Sequence, residues 1–390
     1  VTAHPLSGLR VLDLSRLLPG PFATLVLADL GADVVKVEDP EGGDTLRWMP
    51  PLAGKQSGYF HALNRNKRSM RLDLKKPEGA AAFRTLVHRA DVVVESFRPG
   101  VMDRLGLGWE VLKRENPRLV LCSISGYGQD GPYRGRSGHD IDYCAVAGVL
   151  DQNGPPDRPL PLGVQAADIA GGAWPAVAGI LAGLHRRTLT GAGSFVDISM
   201  TEGVLSMLAI QHGGAAARGR PPERGREMLN GGAGCYGVYR TKDGRFVALG
   251  ALEPKFFARF CEAVARPELA ERQLDGDGRG PRQELEEIFA SRTRDEWERL
   301  GDEHDVCLAP VLEGDEPLRN PQNRARGSFL EIDTPWEGRR IPGLATPVRF
   351  DGVAAPRRPA PELGADTEAV LREAKFGDDE IEALRRAGAI

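Results

Sequence analysis

Short apolar runs alternate with longer helical stretches through the first half of the chain. Leu9–Leu14 (LRVLDL) has the length and composition of a strand, and a helical stretch over Pro21–Leu30 follows it and stops at Gly31. Val34–Val37 is a β-branched run, Met70–Leu74 alternates with period two, and Pro77–Ala90 carries an amphipathic helical period. Val92–Val94 and Leu119–Ile124 read as further strands, and the apolar helix Asp168–Leu184 with the strand Ser194–Ile198 continues the pattern. This alternation predicts an α/β fold of right-handed βαβ units around a mostly parallel sheet.

After about residue 217 the texture changes. Residues 217–234 are rich in Gly, Arg and Pro and read as a linker. Tyr236–Tyr239 and Arg245–Leu249 flank Lys242-Asp243-Gly244, a hairpin signal. Helices over Pro254–Ala265, Gln283–Ala290 and Arg294–Leu300, with a strand in 306–312, complete a smaller α+β domain. An irregular stretch, 315–345, leads to a Pro-rich segment, 355–363, and two short helices close the chain, the first capped by Asp366.

A length of 390 residues suits two to three domains. The formal charge of −4 argues against a general nucleic-acid binder. The longest charge-free apolar stretch, Ile169–Leu184, is sixteen residues long and broken by Pro175. A bilayer span needs about 20 such residues, so a buried helix and no membrane contact are expected. VTAHPLSGLR lacks the layout of a signal peptide, and five scattered cysteines without a CxxC pair fit reduced thiols in a cytoplasmic protein with no zinc site.

Two motifs are set aside. Gly232, Gly234 and Gly237 spell GxGxxG, but a hairpin follows them where the dinucleotide fingerprint requires a helix. Asp275, Asp277, Gly280 and Glu286 fall at calcium-loop positions, yet Arg279 stands where the loop needs an oxygen ligand.

Three elements carry candidate chemistry. Ser137 and Asp140 have capping-box spacing and place His139 in a first helical turn, where the dipole disfavours an imidazolium. His139 is then either a neutral base or a packing residue beside the cap. Asp168 heads the long apolar helix, as an N-cap or as a carboxylate facing a cavity. Arg65, Lys67, Arg68, Arg71, Lys75 and Lys76 form a basic run, either a phosphate grip or a solvated strand edge. Arg98, in the tight turn SFRPG after a strand, is the better placed phosphate ligand.

Together PLSGLRVLDLSRLLPGPFATLVLADLGADVVKVEDPEGGD, LNRNKRS, SFRPG, SISGYGQDGPY, SGHDIDY, ADIAGG and GALEPKF resemble the family III CoA-transferase superfamily. SGHDIDY and GALEPKF are most similar to its α-methylacyl-CoA racemase branch. The resemblance implies a large Rossmann-like CoA-binding domain from residues 1–216 and 335–390. A small α+β domain, 235–325, is inserted through linkers 217–234 and 326–334. It also implies an interlocked homodimer with active sites at the interface.

The resemblance further implies His139 and Asp168 as an acid/base pair, joined by Tyr236 and Glu253 from the small domain. On the residues alone, Tyr236 reads as a strand packing residue and Glu253 as a helix-start carboxylate. The Asp140 N–H is the candidate donor to an enolate oxygen. Arg98, Arg65, Lys67, Arg68, Tyr127 and Arg47 are the expected CoA contacts. Coenzyme A arrives as part of the substrate, with no metal or redox cofactor required. The implied reaction inverts the α-carbon of a 2-methyl-branched acyl-CoA through an enolate. The alternative is CoA transfer between carboxylic acids through aspartyl intermediates at Asp168. His139 favours the racemase, since transferases typically carry a non-basic residue there. A non-catalytic CoA-ester binder would not need His139, Asp168 and Glu253 together. One departure stands out: Asp39 occupies a position where relatives commonly present an Arg to the nucleotide, leaving Arg47 as a substitute.

Overall fold

The computed structural model describes all residues except 1–3, 54–55, 277, 334–339, 352 and 354–355. Asp277, the start of the expected returning segment at 335 and the start of the Pro-rich segment at 355 thus lie outside the described residues. The chain divides into two compact units, one of residues 4–147, 164–207 and 322–390, the other of residues 148–163 and 208–321.

The first unit is built on six strands: β1 (Arg10–Asp13), β2 (Asp33–Glu38), β3 (Arg68–Arg71), β4 (Val92–Glu95), β5 (Val120–Ser125) and β6 (Ser194–Ser199). Their order across the sheet is 3-2-1-4-5-6, and every neighbouring pair is parallel. This is the doubly wound order, in which the chain reverses direction between β1 and β4 and leaves a crevice outside the strand ends. The central strands β4 and β5 are buried along their whole length, as strands covered on both faces are, while the edge strand β6 alternates between half-buried and exposed positions up to its buried last residue.

Helix α1 (Pro19–Asp29) follows β1, with Pro at its start and ten of its eleven residues buried. α2 (Pro77–Val87) packs Ala82, Phe83 and Leu86 into the main apolar cluster. α3 (Asp140–Val146) comes between β5 and β6, and α4 (Trp174–Thr190) buries Ala176, Val177 and Ile180. The 24-residue helical stretch Ala167–Thr190 is long and apolar enough to cross a membrane by length and composition; here half of an apolar 18-residue window within it is buried inside the protein. α5 (Met200–Leu205) follows β6 and crosses the start of that stretch at very close range. A Cβ on Gly203 would lie 1.8 Å from the Gly171 carbonyl oxygen. The chain end returns here with helices Thr367–Glu373 and Asp378–Arg386. Asp366 stands at the expected cap position, but its carboxylate accepts from the Ser69 N–H at 2.9 Å instead, tying the helix to β3.

The second unit holds an antiparallel sheet of β7 (Tyr236–Arg240), β8 (Phe246–Gly250) and β9 (Leu308–Pro310), in the order 9-8-7. Its core is aromatic: Tyr239, Phe257, Phe260, Phe289 and Trp297 are fully buried, and the indole N–H donates to the Phe289 carbonyl at 2.9 Å. Residues 217–234, expected as a linker, belong to this unit, as do 148–163. Arg224 joins the two stretches, donating to the carbonyls of Asp151 at 3.1 Å and Pro155 at 3.0 Å.

Candidate active site

A cavity of about 600 Å³ opens in the first unit over the C-terminal ends of β1, β4, β5 and β6, the crevice the strand order creates. Arg16, Arg98, Tyr127, His139, Tyr143 and Asp168 are among its walls.

The turn after β1 is held from below by buried charges. Asp13 accepts from the Ser15 N–H at 2.9 Å, and Lys36 Nζ donates to the Ser15 carbonyl at 2.8 Å. Asp44 accepts from the Leu17 N–H at 3.3 Å and forms an ion pair with Lys36 at 2.9 Å. Leu17 sits at φ 62°, a left-handed conformation that a leucine keeps only when its surroundings impose it. Lys67 Nζ lies 3.2 Å from Asp13 and donates to the Pro21 carbonyl at 2.9 Å. After β4, Glu95 accepts from the Phe97 N–H at 2.7 Å, and Gly100 at φ 82° completes the turn that carries Arg98.

His139 is the residue that caps α3, two positions later than the spacing of Ser137 and Asp140 predicts. Its N–H donates to the Asp142 carboxylate at 2.9 Å, so the side chain that closes the cap is Asp142 and not Asp140. The approach is fixed by Tyr143, whose hydroxyl donates to the Gly138 carbonyl at 2.6 Å and whose ring meets that of Tyr127 edge-on at 5.2 Å. The imidazole is thereby carried on an extended residue at the cavity wall.

Of the two readings of Asp168, the structure matches the carboxylate facing a cavity: it is not a cap but lies within the first turn of a wide, π-type helical segment, Ala167–Ala173, that leads into α4. Such segments recur at functional sites. The Asp168 N–H donates to Asp140 Oδ1 at 2.9 Å, bringing the two carboxylates near each other. Burial first, and the Asp140 carboxylate second, push the Asp168 carboxyl up to about 6, while His139 works in the opposite direction. The Asp140 amide is a first-turn N–H that no carbonyl of its own helix reaches.

The other expected residues are placed as follows. Tyr127 and Arg98 line the cavity. Arg47, Arg65, Lys67 and Arg68, expected among the CoA-binding cations, do not, because carboxylates of this chain engage them. Arg47 is buried against Glu38 at 2.7 Å and over the Phe60 ring, Arg65 against Asp29, Lys67 against Asp13, and Arg68 against Glu373 at 2.9 Å. Tyr236 opens β7, and Glu253 is the exposed residue before the helix Pro254–Ala263; both belong to the second unit and neither is among the residues lining the cavity. Arg16, Asp142 and Tyr143 were not singled out by sequence reasoning. The second acidic position of SGHDIDY was the available signal for Asp142. Among the described residues no group of three or more His, Cys, Asp or Glu side chains forms a metal-ligand set.

A second cavity, of about 210 Å³, lies over the ends of β1, β2 and β3 and shares Arg16 and Phe97 with the first. Its walls are mainly apolar, with Asp39 and Lys75 paired at 3.1 Å on its rim.

A doubly wound sheet with an imidazole and a carboxyl raised to about 6 lining one cavity at its switch point is the arrangement of an α/β fold with its site in the crevice outside the strand ends. Residues 6–367 match CoA-transferase family III, and the chain belongs to that family. It is 38% identical over 387 residues to human alpha-methylacyl-CoA racemase, covering 97% of this chain and 96% of that protein. It is 37% identical over 387 residues to the succinate–glutarate CoA-transferase of Agrobacterium fabrum, covering 95% of each. Among solved structures it is similar to a CAIB/BAIF family protein from Brucella suis, with a TM-score of 0.82, 33% identity, and coverage of 96% of this chain and 100% of that one.

Proposed function

We propose that this protein inverts the α-carbon of a 2-methyl-branched acyl-CoA thioester by two-base proton transfer. The observation that carries the reading is the pairing, in one cavity, of His139 with an Asp168 pushed up to about 6. A carboxyl there exchanges its proton near neutral pH, as imidazoles do, so either group can start the reaction as base. For one enantiomer the base removes the α-proton, the pair of electrons moves onto the thioester oxygen as an enolate, and the other group returns a proton to the opposite face. The Asp140 N–H is the proposed donor to that oxygen. No redox change occurs, so the chemistry as written needs no cofactor beyond the CoA of the substrate.

We further propose that the enzyme works as an interlocked homodimer in which Tyr236 and Glu253 complete the site. Exposed apolar surface supports this: helix Ala209–Arg218 has no buried residue, and Ile210 is 70% exposed. The free thiols of all five cysteines support a cytoplasmic location.

A second reading is CoA transfer, supported by the transferase relative at 37% identity: the Asp168 carboxylate would attack the acyl-CoA to form an anhydride and expel the CoA thiolate, which would then attack the aspartyl carbonyl, leaving an aspartyl-CoA thioester and releasing the carboxylic acid. The deciding experiment incubates the protein with (S)-2-methylacyl-CoA in D2O and follows the α-proton by NMR and mass. Exchange with loss of optical purity, abolished by His139→Ala and by Asp168→Ala, is the expected result. A hydroxylamine-sensitive CoA ester at Asp168 without exchange would replace the racemase by the transferase.

A further inference from the structure

We propose that Arg16 binds the diphosphate of the CoA ester, a role that rests on the acyl-CoA reading above. Arg16 and Phe97 are the two residues shared by the cavity that holds His139 and Asp168 and the smaller apolar cavity over β1–β3. A thioester reacting in the first cavity, with a flat base lodged between Leu14, Leu72 and Leu74 of the second, carries its diphosphate across their junction. In doubly wound folds the base lies over the ends of the first strands, on this side of the crevice.

The charge arrangement favours that junction. Asp39 already occupies Lys75 at 3.1 Å, so apart from Arg16 the residues lining the smaller cavity offer an anion no unpaired cation. Arg47 is buried against Glu38. The Arg16 guanidinium has no ion-pair partner within 4 Å among the described residues, with the Asp39 carboxylate acting on it only from further off; its carbon lies 5.5 Å from the centre of the Phe97 ring, and the residue is exposed to solvent. Arginine's forked donors match two phosphate oxygens at once.

The turn that carries Arg16 is built, not incidental. Its N–H donates to Ser96 Oγ at 3.1 Å, the preceding carbonyl accepts from buried Lys36, and the following residue is held left-handed by Asp44. The backbone is thus fixed on both sides of a residue whose own side chain is exposed. A diphosphate ligand gives that construction a purpose.

The test measures calorimetric affinity for CoA and for 3′-dephospho-CoA, which keeps the diphosphate but lacks the ribose phosphate. Wild type, Arg16→Gln and Arg16→Lys are compared. Loss of one or two charge-assisted hydrogen bonds predicts about 10- to 100-fold weaker binding of both ligands by Arg16→Gln, with part of the affinity recovered by Arg16→Lys. Unchanged affinity in Arg16→Gln overturns the assignment, and so does a loss confined to CoA, which would place Arg16 on the ribose phosphate. Equal losses in Arg16→Gln and Arg16→Lys would trace the effect to a disturbed turn and overturn it also. A wild type that binds neither ligand removes the acyl-CoA reading itself, an outcome distinct from the other three.

Discussion

Replacing Asp168 by Asn should make the protein more stable while abolishing its proposed chemistry. Burial and the Asp140 carboxylate raise the Asp168 carboxyl from its ordinary 3.8 to about 6, so the fold resists the charge it must carry in order to act as a base. A carboxyl whose folded value lies above its unfolded one holds its proton more tightly in the native state. The protonated form is therefore accommodated below pH 4, and a penalty grows as pH rises until it is complete above 6. With these two values the linkage relation gives a penalty of about 0.5 kcal/mol near pH 4, about 1.6 near pH 5 and about 3 near pH 8. The side chain is not wholly buried, and solvent screening makes these figures ceilings.

An amide of the same shape carries no charge, so Asp168→Asn should remove that penalty in proportion to pH. Equilibrium urea unfolding of both proteins near pH 8, 5 and 4 measures it. The expected gain is largest near pH 8, roughly half as large near pH 5, and close to nothing near pH 4. A gain of equal size at all three values would mean that packing, not ionisation, separates the two proteins. No gain near pH 8 would show that Asp168 is an ordinary solvated carboxylate, and the acid/base role would lose its electrostatic basis.

Two further outcomes follow from the same framework. Burial alone would raise Asp13, but Lys67 and Lys36 outweigh it and hold the carboxyl at about 2, so the pair's contribution persists down to strongly acid pH. Lys67→Met strips Asp13 of a buried partner and should destabilise the protein by about 3–5 kcal/mol, with acid unfolding moved to higher pH when followed by circular dichroism. Gly203→Ala drives a Cβ into the Gly171 carbonyl oxygen at 1.8 Å and must separate α5 from the segment carrying Asp168. A loss of about 1–3 kcal/mol is expected in urea unfolding, together with slower α-proton exchange.

Most of the sheet of the first unit was legible because β1, β2, β4 and β5 centre on β-branched or apolar runs, a local signal, whereas β3 (RSMR) begins two residues before the alternating stretch that starts at Met70. The site was legible only in part. SGHDIDY offers two overlapping caps, Ser137 with Asp140 and His139 with Asp142, and spacing alone does not choose between them. The Tyr143 hydroxyl on the Gly138 carbonyl selects the second and turns His139 from a first-turn residue into the cap itself. The basic run misled for a different reason. Arg65 finds Asp29 thirty-six residues away and Lys67 finds Asp13 fifty-four residues away, so the carboxylates that neutralise them become neighbours only once the sheet is assembled. The grouping of 148–163 with the smaller unit depends likewise on Arg224, some seventy residues further along.

Those same buried cations explain how the fold presents an anion site without a glycine fingerprint. In the familiar dinucleotide turn, glycines let the backbone close on the phosphates at a helix start. Here the turn after β1 reads SRLLPGPF, and Pro19 and Pro21 remove two of the amide donors that such a grip would use. The chain must then offer a side chain instead, and a side chain orients an anion only if its backbone is fixed. Leucine at φ 62° costs about 1–3 kcal/mol, and it persists at position 17 because the polar groups around it are held by charges that cannot relax into water. Buried ion pairs rarely add net stability over an apolar packing of the same volume, so their use under this turn is better understood as specifying one geometry. On that argument Lys36, Asp13, Lys67 and Asp44 act through Arg16: they hold the turn so that one exposed guanidinium stands where the two cavities meet.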